Sequence, residues 1–217
     1  MYSSFMQYNE VFVAGGTGLL GRHACRALIA RGFLPRLLVR PGSEGKIPTE
    51  IRARCRVTPG NLAVRESVEM GAQGTSAIVH LAGAWKESRR EIAYAEALVH
   101  ATANVLHAAS VWRIARLIFV GVAGAKPGDA VPYLDAMGRA EALVRGAKLC
   151  WTVFRSAPWH DPRSGGPLVS PVYLDGMAEA IADSVRRQDT GGRVFEAPSP
   201  DRFPWEERSG AAPSDPG

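Results

Sequence analysis

Cysteine is scarce in this chain and poorly spaced for a structural role: Cys25, Cys55 and Cys150 are odd in number, far apart and form no C-x-x-C pair. That argues against both a disulfide framework and a zinc site, and it makes the cytoplasm, or another reducing compartment, the expected home. Long apolar runs are also missing. No stretch approaches the about 18 uninterrupted apolar residues of a membrane span, and Met1 to Glu10 lack the charged start and apolar core of a secretion signal. The histidines, His23, His80, His100, His107 and His160, show no H-E-x-x-H or similar metal spacing. There is no basic block either. The net charge of +5 comes mostly from scattered arginines, so nucleic-acid binding is not indicated.

What is present is a chain of 217 residues with 46% hydrophobic content, enough for one sizeable α/β domain and a small appendage. Its most informative stretch is Val11-Phe12-Val13-Ala14-Gly15-Gly16-Thr17-Gly18-Leu19-Leu20-Gly21, an apolar strand running into a glycine-rich turn that opens a helix. Glycines at 15, 16 and 18 permit a tight turn and a close backbone approach to a pyrophosphate, and Gly21 lets the helix lie close on the sheet. A helix N-terminus adds open N–H donors and a partial positive charge. Leu19, Leu20, Ala24, Leu28 and Ile29 recur at helical spacing until Arg31-Gly32, and a strand from Pro35 to Arg40 completes a βαβ unit.

Further along, the spacing predicts a turn-rich stretch at 41–48, a short strand at 54–58 ending in Pro59-Gly60-Asn61-Leu62, and a helix to about Gly71. Ala77 to Gly83 reads as a buried parallel strand ending in small residues, followed by a long helix from about Glu87 to Ser110. A strand at 116–121, a helix at 133–146 and a strand at 151–155 follow, then a proline- and glycine-rich loop, a helix from about Asp175 to Arg187 and a strand at 193–196. This unbroken alternation is the pattern of a doubly wound parallel sheet, a Rossmann architecture. The expected division is a nucleotide-binding domain at 1–156, a short C-terminal segment completing the cleft at 157–199, and a disordered tail at 200–217.

Taken together in their order and spacing, the glycine turn, Gly60-Asn61-Leu62, His80-Leu81-Ala82-Gly83, Thr102-Ala103-Asn104-Val105-Leu106, Tyr133 with Arg139-Ala140-Glu141, Trp151 to Arg155, and Val172 to Asp175 resemble the atypical and extended short-chain dehydrogenase/reductase superfamily. The likeness is greatest to the branch of regulatory nicotinamide-binding proteins and the accessory dehydrogenase-like subunit of respiratory complex I. It implies a nicotinamide dinucleotide held by Gly15, Gly16, Thr17, Gly18, Leu19, Leu20 and Gly21. Asn61 and Leu62 would lie beside the adenine, and Leu81, Ala82 and Gly83 along the adenine ribose and pyrophosphate. Asn104 would tie neighbouring backbone together.

NAD-specific sites place a carboxylate at the end of the second strand, whereas this strand ends Leu37-Leu38-Val39-Arg40. NADP(H) is therefore expected over NAD(H), with Arg40 on the 2′-phosphate and Arg22 or Ser43 as helpers. At the catalytic positions the resemblance breaks. Active relatives carry a serine at the end of the fifth strand and a Tyr-x-x-x-Lys helix; here those positions read Gly121 and Tyr133-Leu134-Asp135-Ala136-Met137. An unaided phenol titrates near 10, and Met137 supplies no charge. Tyr133 is the one catalytic residue retained, with Lys126, Arg139 and the pair His160 and Asp161 as weaker substitutes. The expected function is structural or redox-sensing nucleotide binding; the alternative is an NADPH-dependent reductase or epimerase-like enzyme with relocated catalytic residues. A protein partner completing the short cleft is a further expectation, with Trp159 and Trp205 as contact candidates.

Overall fold

A computed structural model describes residues 9–81, 91–156 and 171–197. In chain order the elements are β1 (Glu10–Ala14), α1 (Leu19–Ala30), β2 (Leu34–Val39), α2 (Thr49–Arg52), β3 (Arg56–Pro59), α3 (Arg65–Ala72), β4 (Ala77–His80), α4 (Glu91–Val111), β5 (Arg116–Val122), α5 (Pro132–Gly146), β6 (Cys150–Ser156), α6 (Pro171–Arg186) and β7 (Arg193–Ala197). Seven strands form one sheet in the order β3-β2-β1-β4-β5-β6-β7, every pairing parallel. The order reverses between β1 and β4, the switch point where open α/β sheets take their ligands.

The central strands are short apolar runs because both faces of the sheet are covered. On one face Val11, Val13, Val79, Ile118, Val120 and Phe154 pack beneath α1 and α6; on the other Phe12, Ile78, Leu117, Phe119 and Val153 pack beneath α3, α4 and α5. The C-terminal segment is built into this architecture. Its helix α6 shares the first core with α1, and β7 pairs with β6 along five residues. Without α6, the β5–β6 side of the face that α1 covers would be bare.

Sequence and structure differ in small ways. The turn-rich stretch at 41–48 holds a 3-10 turn at Glu44–Lys46 and runs into the short α2, whose Ile51 is buried beside α1. Four residues are too few for periodicity to register. The third strand starts at Arg56, and the following helix starts at Arg65, after an Asx turn in which Asn61 Oδ1 accepts from the Ala63 N–H at 3.1 Å. Helix α4 ends with Arg113 at φ 52°, a left-handed position, and the Ile114 N–H returns to the Ala109 carbonyl at 2.8 Å. The expected tail at 200–217, and Trp159, His160, Asp161 and Trp205, lie outside the described residues.

Helices α1 and α6 run parallel in a fixed register. His23 meets Asp175 and Arg31 meets Asp183, both 152 positions apart, so the first residue of α1 lies level with the first residue of α6. Arg186 closes the seam, donating to the Arg31 carbonyl at 3.1 Å and lying 4.5 Å over the Phe33 ring.

Candidate functional site

The β1–α1 turn is tighter than any residue but glycine allows. Gly15 has φ +93°, and the Gly18 N–H donates to the Gly15 carbonyl at 3.0 Å. A Cβ on Gly21 would lie 2.2 Å from the Gly15 oxygen and 2.7 Å from the Gly16 Cα, and one on Gly16 would lie 2.5 Å from Leu37 Cδ2. At Gly21 the obstacles are backbone atoms with no room to yield, whereas at Gly16 they are the ends of the Leu37 and Val13 side chains. The N-cap residue Gly18 offers no side chain to the helix, and the first turn of α1 holds no acidic residue. Its first N–H groups therefore face outward without a capping acceptor, beside the half-buried Thr17 and the exposed Leu19. Leu20 points the other way, into the core.

At the end of β2, Arg40 is exposed, and its carbonyl accepts from the Ser43 N–H at 2.9 Å, which folds the chain back as a turn. Arg22 and Ser43 are half-buried. Asn61 and Leu62 follow β3, where the Gly60 N–H donates to the Val39 carbonyl at 2.9 Å. One lone pair of the Asn61 amide oxygen is committed to its own turn, so one remains for a ligand donor. The Asn104 amide donates to the Leu62 carbonyl at 2.9 Å, so α4 does tie this loop's backbone. Leu81 continues from β4, its N–H on the Ala14 carbonyl at 2.8 Å; Ala82 and Gly83 lie outside the described residues.

His80, the last residue of β4, is fully buried, with its ring edge-on to Phe119 at 5.4 Å. Its Nε2 is 2.9 Å from Thr102 Oγ1, which itself donates to the Leu98 carbonyl at 3.0 Å. A hydroxyl has one proton to give, so Thr102 accepts from Nε2–H and Nδ1 is left as an unpaired acceptor. Burial pushes the His80 imidazole down to about 4, neutral at physiological pH.

At the other end of the same edge, side chains have turned inward. Met137 is buried among Phe119, Ala140 and Val144 in the second core. Tyr133 is half-buried against that core, and desolvation pushes its phenol above the ordinary tyrosine value. Arg139 is engaged with Glu96 of α4 at 2.5 Å and lies 3.1 Å from Asp135, and Lys126 is exposed in the β5–α5 loop. A Cβ on Gly121 would lie 3.4 Å from Glu141 Oε2 and 3.4 Å from the Phe119 ring, so position 121 faces the β5–α5 packing. Glu141 is the charged residue that spacing alone did not single out. It is 4% exposed and is held by Arg155 from both oxygens, Nε at 2.9 Å and Nη2 at 2.7 Å, while Arg155 Nη1 reaches Glu196 at 2.6 Å. No local sequence signal announces this pair, since its arginine arrives from β6, 14 positions away.

A family model described as NAD(P)H-binding matches residues 15–194, from the glycine turn to the last strand. The chain belongs to this NAD(P)H-binding family. Members of the short-chain dehydrogenase and epimerase group share its fold. The Bordetella bronchiseptica enzyme WbmH, solved with NAD+, superposes with TM-score 0.69 at 18% identity, covering 87% of this chain and 75% of that one. A wide-type short-chain dehydrogenase/reductase from Veillonella parvula, solved with NADP, gives TM-score 0.64 at 18% identity over 87% and 94%. Among curated proteins, the chain is 34% identical over 111 residues to the 4-hydroxy-2-methyl-3-oxo-4-farnesyl-3,4-dihydroquinoline-1-oxide ketoreductase of Stigmatella aurantiaca, 51% of this chain and 33% of that protein. It is also 34% identical over 73 residues to the ceramide reductase of Caulobacter vibrioides, 34% of this chain and 22% of that protein. The chain thus aligns with a third or less of the length of these relatives.

The glycine turn fits the phosphate-bearing cofactor of the family, since the cradle is shaped by close backbone approach and open N–H groups. No helix among the described residues is long and apolar enough to cross a membrane, and no cluster of metal ligands occurs among them. All three cysteines are free.

Proposed function

We propose that this NAD(P)H-binding protein prefers NADP(H) and holds it as a structural or redox-signalling ligand without ordinary hydride-transfer turnover. The reading is supported by the contrast between a glycine turn with open N–H groups and helix α5, whose Met137, at the position where the resemblance leads one to expect lysine, lies in the core. The dinucleotide, when bound, supplies a hydride donor or acceptor; what this chain supplies is the cradle of Gly15 to Gly21, with Arg40 as the cation for a 2′-phosphate. Asn61, Leu62 and Leu81 complete the proposed lining, with Gly121 contributing at most its backbone, since its Cβ direction faces Glu141 and Phe119. General acid–base catalysis contributes about 100- to 10,000-fold, and Tyr133, with its phenol pushed up and neither lysine nor serine beside it in the motif, is a poor proton donor.

A thermal-shift titration with NADPH, NADP, NADH and NAD tests the reading. Stabilisation by the phosphorylated pair, lost in Arg40→Ala, is the expected result; no shift with any nucleotide would leave the fold as a scaffold. A second reading, a reductase with relocated catalytic groups, is favoured by the two curated relatives, both named as reductases. It requires NADPH oxidation with a carbonyl substrate at an ordinary enzymatic rate, abolished by Tyr133→Phe while nucleotide affinity stays unchanged.

A further inference from the structure

The α1–α6 seam places a titratable group one turn behind the phosphate cradle. His23 is the fifth residue of α1, about 6 Å of helix rise from the first open N–H groups. Its Nδ1 lies 2.5 Å from Asp175 Oδ1 of α6, and since a carboxylate only accepts, the imidazole donates. The His23 ring is largely covered and Asp175 is mostly exposed. Because the two helices run level, the pair joins the second turn of each.

We propose that His23 and Asp175 form a proton-linked latch, so that binding of the dinucleotide and protonation of His23 favour one another. This rests on the nucleotide-binding reading above. An imidazolium adds positive charge just behind the N–H groups that would receive a pyrophosphate, and the bound anion in turn removes the repulsion that the positive end of α1 exerts on that imidazolium. The surrounding charges leave this role to His23. On α1, Arg26 is bound to Glu50 of α2 at 2.7 Å, and Arg22 is a fixed positive charge at every relevant pH. On α6 the nearby carboxylates are Asp175 and Glu179, and Asp183 is held by Arg31. Strand β2 turns its Arg36 to the opposite face, onto Glu10, and the neighbouring Cys25 is a buried thiol pushed up to about 12. The latch also links α6 to the cradle, so that loading the site in mildly acidic conditions tightens the contact between the C-terminal helix and the nucleotide-binding unit.

The experiment is calorimetric titration of the full chain with NADPH at about pH 8 and about pH 6, on the native protein, His23→Gln and Asp175→Asn. Comparison with His23→Gln cancels the titration of the ligand's own phosphate. The native protein should gain about fivefold more affinity on acidification than His23→Gln, with Asp175→Asn falling between. In the native protein, the imidazole resonance of His23 should hold its proton to higher pH when nucleotide saturates the site, a readout that needs no substitution. Identical pH dependence in native and His23→Gln proteins, or an imidazole titration indifferent to nucleotide, overturns the latch and leaves the nucleotide reading intact. Absence of binding by all three proteins at both pH values overturns that reading and the latch with it.

Discussion

The β1–α1 turn and helix α5 sit along the same edge of one sheet, yet they store their chemistry in different atoms. At the turn the groups offered to a ligand would be backbone N–H donors, and their position depends on the absence of a side chain at Gly21. On α5 the motif that the sequence resemblance implies would work through side chains, which can be exchanged while the helix stays in place. Met137, at the position where the sequence resemblance leads one to expect a lysine, fills the core, and Glu141 with Arg155 binds α5 to β6 across the space above Gly121. The turn is thus constrained by backbone sterics, whereas the side chains of α5 serve packing and ion pairing.

Breaking the α5 end should give the largest effect. Glu141→Ala leaves a guanidinium facing a buried, emptied socket and should lower stability by about 3 kcal/mol in urea melts, at the low end for a broken buried pair because Glu196 still holds Arg155. The protein should still shift its melting temperature with nucleotide, since the cradle is untouched. Between the two ends lies His80. Complete burial holds its pKa at about 4 against an ordinary 6.5, so over that interval the unfolded chain takes up a proton that the folded chain refuses. Stability is full above about pH 6.5 and declines as pH falls toward 4, by up to about 3 kcal/mol, and His80→Phe should flatten that decline in pH-dependent melts.

Gly21→Ala attacks the other end. Its methyl group would meet backbone at 2.2 Å, so the variant should lose about 2 kcal/mol and, unlike Glu141→Ala, its nucleotide-induced thermal shift. If that shift survived, the cradle would not be the binding determinant. The smallest effect belongs to a site remote from both ends. Arg113→Gly relieves the left-handed backbone at the end of α4 and should raise stability by about 1 kcal/mol with nucleotide binding unchanged.

The alternation of elements was legible because each central strand is a short apolar run and each helix carries its stripe, so β1, α1, β4, β5 and β6 fall within a few residues of their expected places. Helix α2 was not, since four residues carry no period. The glycine turn was legible for the same reason that it is tight: Gly15 at positive φ and Gly21 against backbone admit no other residue, and glycine is visible in a sequence. The partners of Glu141, Arg139 and His23 were hidden, because each is chosen by elements 14, 43 and 152 positions away, and nothing local announces which arginine or carboxylate will arrive. Arg139 is the instructive case. Two residues past Met137 it faces another side of the helix, which makes it a poor replacement cation, and the structure turns it to Glu96 on α4.

The pairing of α1 with α6 also sets an order on the birth of the protein. The surface of β1, β4 and β5 that these two helices cover stays half bare until a segment 152 positions downstream has been synthesised. A growing chain emerging from the ribosome would expose valine and isoleucine on that face throughout most of its elongation, and chaperone capture or aggregation competes with completion during that interval. Any truncation that removes α6 should leave a chain that never ends that exposure.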